Sequence, residues 1–477
     1  MKHSLLSIFL FSGSAIGAAN LQANTAAGSE PEIKPAPQTP APSPHFYRCC
    51  ILATTNFYQD DVLKKGFVSG NYRPYLGYTY AEKYSLMVRG NLILKYYGEK
   101  PASVEKQTNA VGVLEITSFE ARLGAHTVTV GRGFYQTEQG ILFANFADGA
   151  AYTYDARFGS IKAMGLYSAD YGSKLCALNI NGCGGDPNPF NMIPGLAPDA
   201  SVTGSGQRLF ATIEYTSPAL DAGPVNAQAL FYGIYSKDMI KESASVVTRY
   251  EYNPYYAGLG LQGYVVDSRL QYRVDGIYQG GTVYNVTANG ESLQANIFAA
   301  AFLARLNYSL PILTAIDTQV TGEFAMGSGD ADATRANTAS QSNTDGSYNA
   351  FQSFGAYSGG LALKPRLTNM QIYRGGVAIR PFKFWYWSRN IGLQAKYSLY
   401  RKTSPTGGIS DSAATEFSSD VGMAGDIGLI LTPRTDIQFF YGFGVFKPGE
   451  AYPALAGDGS DGRALRQAHI VSLTLVF

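Results

Sequence analysis

Covalent or metal chemistry needs His, Cys, Ser or carboxylates at close spacing, and this chain offers few such sets. It has 4 His and 4 Cys in 477 residues. His126 and His469 fall in strand-like sequence far apart, and the first adjoins a short turn, so a Ser/His/Asp relay finds no second member. Cys176 and Cys183 lie in a segment rich in Gly, Pro and Asn, where a disulfide would staple a surface loop. Cys49 and Cys50 are adjacent, and neighbours rarely bond each other; neither pair has the His or second Cys pair of a zinc site. Gly258-Leu259-Gly260-Leu261-Gln262-Gly263 has the G-x-G-x-x-G spacing of a dinucleotide loop, but no strand–turn–helix surrounds it, and alternate glycines in a strand account for it. Asp330 with Asp332, and Asp458 with Asp461, sit in Gly-rich loops, where solvated carboxylates are the simpler reading than a weak calcium site. The expectation is a protein with no catalytic residues, no cofactor and no metal, and so not an enzyme.

The other recurrent chemistry is ionic. Arg73, Arg89, Lys95, Arg122, Arg157, Lys162, Arg208, Arg273, Arg305, Arg374, Arg380 and Lys396 all sit at the parity opposite to the apolar residues of their segments. Glu120, Asp155, Glu214, Asp275, Asp317, Glu323, Asp426 and Asp436 share that parity. On one reading these charges pair off along a hydrated wall, with Glu120–Arg122, Asp155–Arg157 and Arg273–Asp275 as in-strand neighbours. On the other, the excess of cations forms a ladder for anionic solutes, as rings of Lys and Arg do in anion-selective pores. Gln262, Gln271, Gln394, Tyr75 and Tyr232 would add hydrogen-bonding surface suited to sugars.

Both readings require strands to position these residues. Tyr72, Leu76, Tyr78 and Tyr80 share one face, as do Leu86, Val88, Leu92, Leu94 and Tyr96. The same period of two recurs at Phe119-Ala121-Leu123, Leu209-Ala211-Ile213-Tyr215, Ile391-Leu393-Ala395-Tyr397-Leu399 and Val471-Leu473-Leu475-Phe477. Repeated alternation over segments of about ten residues is the signature of a transmembrane antiparallel β-barrel, an all-β fold. The connections alternate short and long. Ala81–Lys83, Gly124–Ala125, Gly159–Ser160 and Val266–Ser268 are short, whereas Tyr97–Ala110, Ala169–Gly206 and Gly327–Met370 are long. Every long one falls on the same side, as extracellular loops do in outer-membrane barrels. About seventeen strands follow from Phe67, and one more within Cys50 to Tyr58 would make about eighteen; sixteen is the other even count in range.

The compartment agrees. Lys2 and His3 precede the apolar run Leu5 to Phe11 and small residues follow, so residues 1–23 read as a secretory signal peptide. Residues 24–46 form a Pro/Ala-rich extended spacer, and residues 47–477 the barrel. Charged residues are only 15% of the chain, against about 25% in soluble proteins. A net charge of +1 excludes a nucleic-acid partner. The terminal Phe477 closes an alternating strand in the form read by the barrel-assembly machinery.

The C-terminal third resembles the closing strands of the alginate export porin family. Gly425-Asp426-Ile427-Gly428-Leu429-Ile430-Leu431-Thr432-Pro433 is followed by Thr435-Asp436-Ile437-Gln438 and by Tyr441-Gly442-Phe443-Gly444-Val445-Phe446-Lys447-Pro448-Gly449. There the family runs a strand into a Pro-containing turn, then an aromatic-Gly segment and a Phe-x-Pro-Gly loop start. Leu123 to Arg132 is similar to that family's hairpin with its Gly-Arg pair, and Gly375 to Pro381 is compatible in spacing. Gly425 stands where the family pattern carries Glu. The resemblance spans residues 66–477 and implies a monomeric eighteen-strand barrel whose electropositive constriction passes an anionic polysaccharide such as a polyuronate. It makes Arg122, Arg157, Arg374 and Arg380 the first constriction candidates. Together the observations predict a channel in the bacterial outer membrane, surrounded by lipid and passing anionic or polar solutes by passive diffusion. The alternative is an adhesin or structural barrel acting through its long outer loops; loops folded inward would favour the channel.

Overall fold

The computed structural model describes residues 45–60, 65–97, 108–137, 140–168, 208–239, 252–265, 269–286, 292–310, 316–332, 346–355, 357, 359–381, 390–411, 413–434, 436–455 and 461–476. The expected signal peptide, nearly all of the spacer, and Cys176 with Cys183 fall outside the described residues.

The first strands are β1 (His45–Asp60), β2 (Lys65–Tyr80), β3 (Tyr84–Tyr97), β4 (Thr108–Leu123), β5 (His126–Gln136), β6 (Ala144–Ala156) and β7 (Gly159–Ser168). Next come β8 (Arg208–Thr216), β9 (Leu220–Ala222), β10 (Val225–Asp238), β11 (Tyr252–Val265), β12 (Leu270–Val286), β13 (Ser292–Leu310) and β14 (Asp317–Gly327). The last are β15 (Ser347–Tyr348), β16 (Met370–Arg380), β17 (Ile391–Lys402), β18 (Asp420–Arg434), β19 (Ile437–Pro448) and β20 (Arg466–Val476). Short β9 extends the edge that β8 presents to β10, and β15 is a two-residue strand within a loop. The remaining eighteen form the wall. Each pairs antiparallel with the next, and β1 pairs with both β2 and β20, so the sheet closes and has no edge. The first strand starts at His45, inside the segment read as spacer.

Alternation decides which way each strand faces. In β8, Arg208, Phe210, Thr212 and Glu214 turn inward and Leu209, Ala211 and Ile213 outward. Outward Ile213 and Leu259 are each 60% exposed and Phe298 65%. So much open aliphatic and aromatic surface suits hydrocarbon, not water. Closure also gives the wall's backbone donors and acceptors partners across strands, as a lipid surround demands. Among the described residues, no helix is long and apolar enough to cross a membrane.

Short turns cluster at one end, taken as periplasmic. Between β2 and β3, Lys83 N–H donates to Tyr80 O at 3.0 Å, and Ala81 and Glu82 adopt φ of 49° and 57°. Two left-handed central residues make a type I′ hairpin, whose twist matches that of the strands. At the other end two connections fold into the barrel. Residues 140–143 and residues 346–355 of the β14–β16 connection meet there: Phe143 bridges Phe354, and Phe354 N–H donates to Leu142 O at 3.0 Å. Phe210 packs against Phe143 in a tilted contact at 4.6 Å and edge-on against Phe354 at 5.1 Å, and Tyr256 and Phe351 join the same cluster. The apolar core of this molecule therefore lies within its lumen.

Candidate functional site

The inner wall carries its charges in small groups, each spread over neighbouring strands. On β2 to β4, Arg73 and Arg89 both approach Glu115, with Nε–O distances of 3.2 and 2.7 Å, and Asn91 donates to the same carboxylate. Glu115 reaches them because the β3–β4 register slips between Arg89 and Gly90. That bulge turns Glu115 inward against simple alternation, so the sequence pattern missed it.

A second group lies across β10 to β12. Arg273 Nε donates to Asp275 at 3.0 Å and its Nη1 to Gln262 at 2.8 Å, while Gln262 donates to Gln228 at 2.8 Å. Tyr232 reaches over β11 to donate to Asp275 at 3.3 Å. It can do so because Gly258 and Gly260 leave the floor bare: a Cβ on Gly258 would stand 2.0 Å from the Tyr232 ring. This is the structural role of the G-x-G-x-x-G spacing.

The third group fastens the inward loop. Glu323 of β14 accepts from Arg305 of β13 at 2.7 Å, from Arg374 of β16 at 3.1 Å and from Tyr357 of the loop at 2.5 Å. Arg374 also donates to Gly359 O, as does Tyr400 at 2.8 Å, and Leu361 N–H donates to Asp426 at 3.2 Å. Beside this clasp is a small cavity of about 20 Å³ lined by Gly360, Leu361, Arg374, Gln394, Lys396 and Asp426. Lys396 forms no ion pair within 4.0 Å among the described residues, so it offers positive charge to that space, whereas Arg374 is held by Glu323.

The other expected wall cations divide by height. Arg208 is buried, donating to Tyr252 O at 2.6 Å and to Ser236, with its guanidinium 5.1 Å from the Phe354 ring. Lys162 donates to Gln136 O at 2.8 Å and lies 3.9 Å from Glu214. Arg122, Arg157 and Arg380, expected in a constriction, sit instead next to the short turns, at the periplasmic end of the wall. Arg122 is largely exposed and pairs with Glu120 at 2.7 Å. Asp155 and Arg157 do not pair, since Arg157 has already left β6 for the turn. Lys95 lies in β3. Parity reveals the face of the wall but not the height on it. Asp330 caps its own loop, accepting from Asn349 N–H at 2.7 Å. Among the described residues, no group of three or more metal-ligating side chains occurs.

The alginate export family matches residues 206–465. No curated protein sequence matches the chain significantly. Among solved structures, Pseudomonas aeruginosa OccK5 (OpdH) aligns with a TM-score of 0.52 at 10% identity, covering 90% of this chain and 98% of that one. The P. aeruginosa outer membrane protein opdK gives 0.52 at 9% identity, covering 91% and 99%. OccK8 (OprE) of the same organism gives 0.52 at 11%, covering 90% and 98%. At such identities the likeness concerns the fold, which is the closed eighteen-strand barrel.

Proposed function

The chain belongs to the alginate export family, and from that premise we propose that the solutes of this outer-membrane channel are anionic, polyuronates among them. The channel itself, passing solutes passively across the bacterial outer membrane, follows from the family and the barrel. The observation that carries the anionic reading is Lys396, a wall cation with no ion pair among the described residues, in the small cavity beside the inward loop that Arg374, Asp426 and Gln394 also line. Elsewhere the wall cations are largely held by carboxylates, so selectivity rests on this place and not on a continuous ladder. Both described loops that enter the barrel pack inside it, an arrangement that favours a channel over an adhesin.

The protein acts without covalent chemistry, as a monomer, after insertion by the barrel-assembly machinery. Wall residues Arg73, Arg89, Arg208, Arg273 and Arg305 keep the lumen hydrated and the loops in place, while Arg374 and Lys396 contact solute. The reversal potential of the purified protein in a planar bilayer under a salt gradient tests this. A modest anion preference, with block by oligomeric uronate, is expected. Cation preference would overturn it.

A further inference from the structure

Lys396 keeps a charge that its own strand pairing would be expected to cancel. On β17 it stands directly across from Asp426 of β18, and opposite charges so placed are close enough to join. Here they form no ion pair within 4.0 Å. The carboxylate is engaged instead by the inward loop, where Leu361 N–H donates to Asp426 Oδ1 at 3.2 Å. Asp426 is only 8% exposed, whereas Lys396 keeps part of its surface open. Arg374, the other cation of this cavity, is held by Glu323 at 3.1 Å. Lys396 is therefore the partner that a released Asp426 would find.

The loop reaches Asp426 along a slot built into the wall. Gly442 and Gly444 of β19 pair with Gly428 and Asp426 of β18. A Cβ on Gly444 would stand 2.7 Å from both Leu361 Cβ and Asp426 Oδ1, and one on Gly442 would stand 3.1 Å from Leu361 Cδ1. The alternate glycines of Tyr441-Gly442-Phe443-Gly444 are thus the bare floor on which the loop lies. Just before Leu361, Gly359 O accepts from Tyr400 at 2.8 Å and ties the segment down. We propose that Leu361 and its glycine slot determine the specificity of the channel: by occupying Asp426, the docked loop keeps Lys396 unpaired and the lumen anion-preferring. This rests on the anionic-solute reading above and makes that preference conditional on the loop. Distance sets the sign. Coulomb energy falls as the inverse of separation, so an anion beside the open ammonium feels it more strongly than a carboxylate covered by the loop. With the loop lifted, Asp426 and Lys396 close into a pair whose two charges lie equally near, and the attraction is lost.

The test records the reversal potential of full-length barrels in planar bilayers under a potassium chloride gradient. Two substitutions undock the loop by separate routes. Leu361→Pro removes the N–H donor, and Gly444→Ala puts a methyl group where the loop lies. Each is made in the wild-type background and together with Asp426→Asn, whose amide oxygen still accepts from Leu361 but carries no charge for Lys396. In the wild-type background both should abolish the anion preference. In the Asp426→Asn background no carboxylate is left to capture Lys396, so both should leave the preference as strong as in Asp426→Asn alone. If Leu361→Pro does not assemble into a barrel, Gly444→Ala decides alone. An equal loss in both backgrounds would refute the proposal, by showing that the loop acts through the shape of the pore. No loss in either would also refute it, because Lys396 would then stay open without the loop. Lys396→Gln separates the proposal from the reading beneath it. Unchanged selectivity in that variant would sink the anionic reading and the proposal together. Loss of preference there, with the preference kept in both loop variants, would sink the proposal alone.

Discussion

At the scale of single residues, Glu323 holds together what the loop clasp needs. It accepts from Arg305, Arg374 and Tyr357, so Glu323→Gln keeps the shape but removes the charge that restrains two guanidinium groups. We expect the reversal potential to move toward stronger anion selectivity, with a stability loss of about 1–3 kcal/mol in urea unfolding. An unmoved potential would mean that these arginines do not face the permeating ion. Asp330, in the loop after β14, has its carboxyl raised to about 6 by burial and by its hydrogen bond with Asp332. A raised carboxyl favours the protonated folded form. Its contribution is therefore full below the ordinary value of 3.8 and is lost as pH rises through about 6. Hydrogen exchange of residues 328–332 and 346–350 should quicken across that window, and Asp330→Asn should flatten the dependence. The ionic residues were legible in the sequence as a set, because parity exposes them. Their partners were not: Tyr357 lies in a loop that has no period to read.

Strands were the most legible level, since a lipid surround on one side and water on the other write an alternation into nearly every segment. Departures came where an element breaks its own rule. The bulge in β4 brought Glu115 to Arg73 and Arg89 unannounced, and β1 begins earlier than its apolar residues suggest, with His45 and Tyr47 pairing to Tyr80 and Tyr78 of β2. Glycines within strands carried meaning that the sequence left ambiguous. Gly258→Ala should drive the Tyr232 ring off Asp275, at a cost of about 1–3 kcal/mol for overpacking. Gly276→Ala, where a Cβ meets nothing within 4 Å, should be silent in the same unfolding assay. Equal effects would show that the ring is free to move.

For the molecule as a whole, barrel, closure and loop sorting could be anticipated, but not that two loops would build an aromatic core inside the pore. Nothing in a period-two pattern says where a long connection goes. Phe354 touches Phe143, Phe210, Tyr252 and Tyr256, so Phe354→Ala should cost about 3–5 kcal/mol locally and raise single-channel conductance as the loops part. A conductance equal to wild type would place the limiting cross-section elsewhere. The paired wall has an electrical consequence too. A free charge crossing the whole field responds with about 2.3 kcal/mol per 100 mV, whereas a guanidinium bound to its carboxylate moves with it and carries little net charge through the field. Arg273 is tied to Asp275, and Arg305 and Arg374 to Glu323, so a transmembrane voltage finds few mobile charges with which to close the pore. Current should rise in proportion to voltage, without a threshold, and this channel should stay open at potentials that shut pores with looser walls.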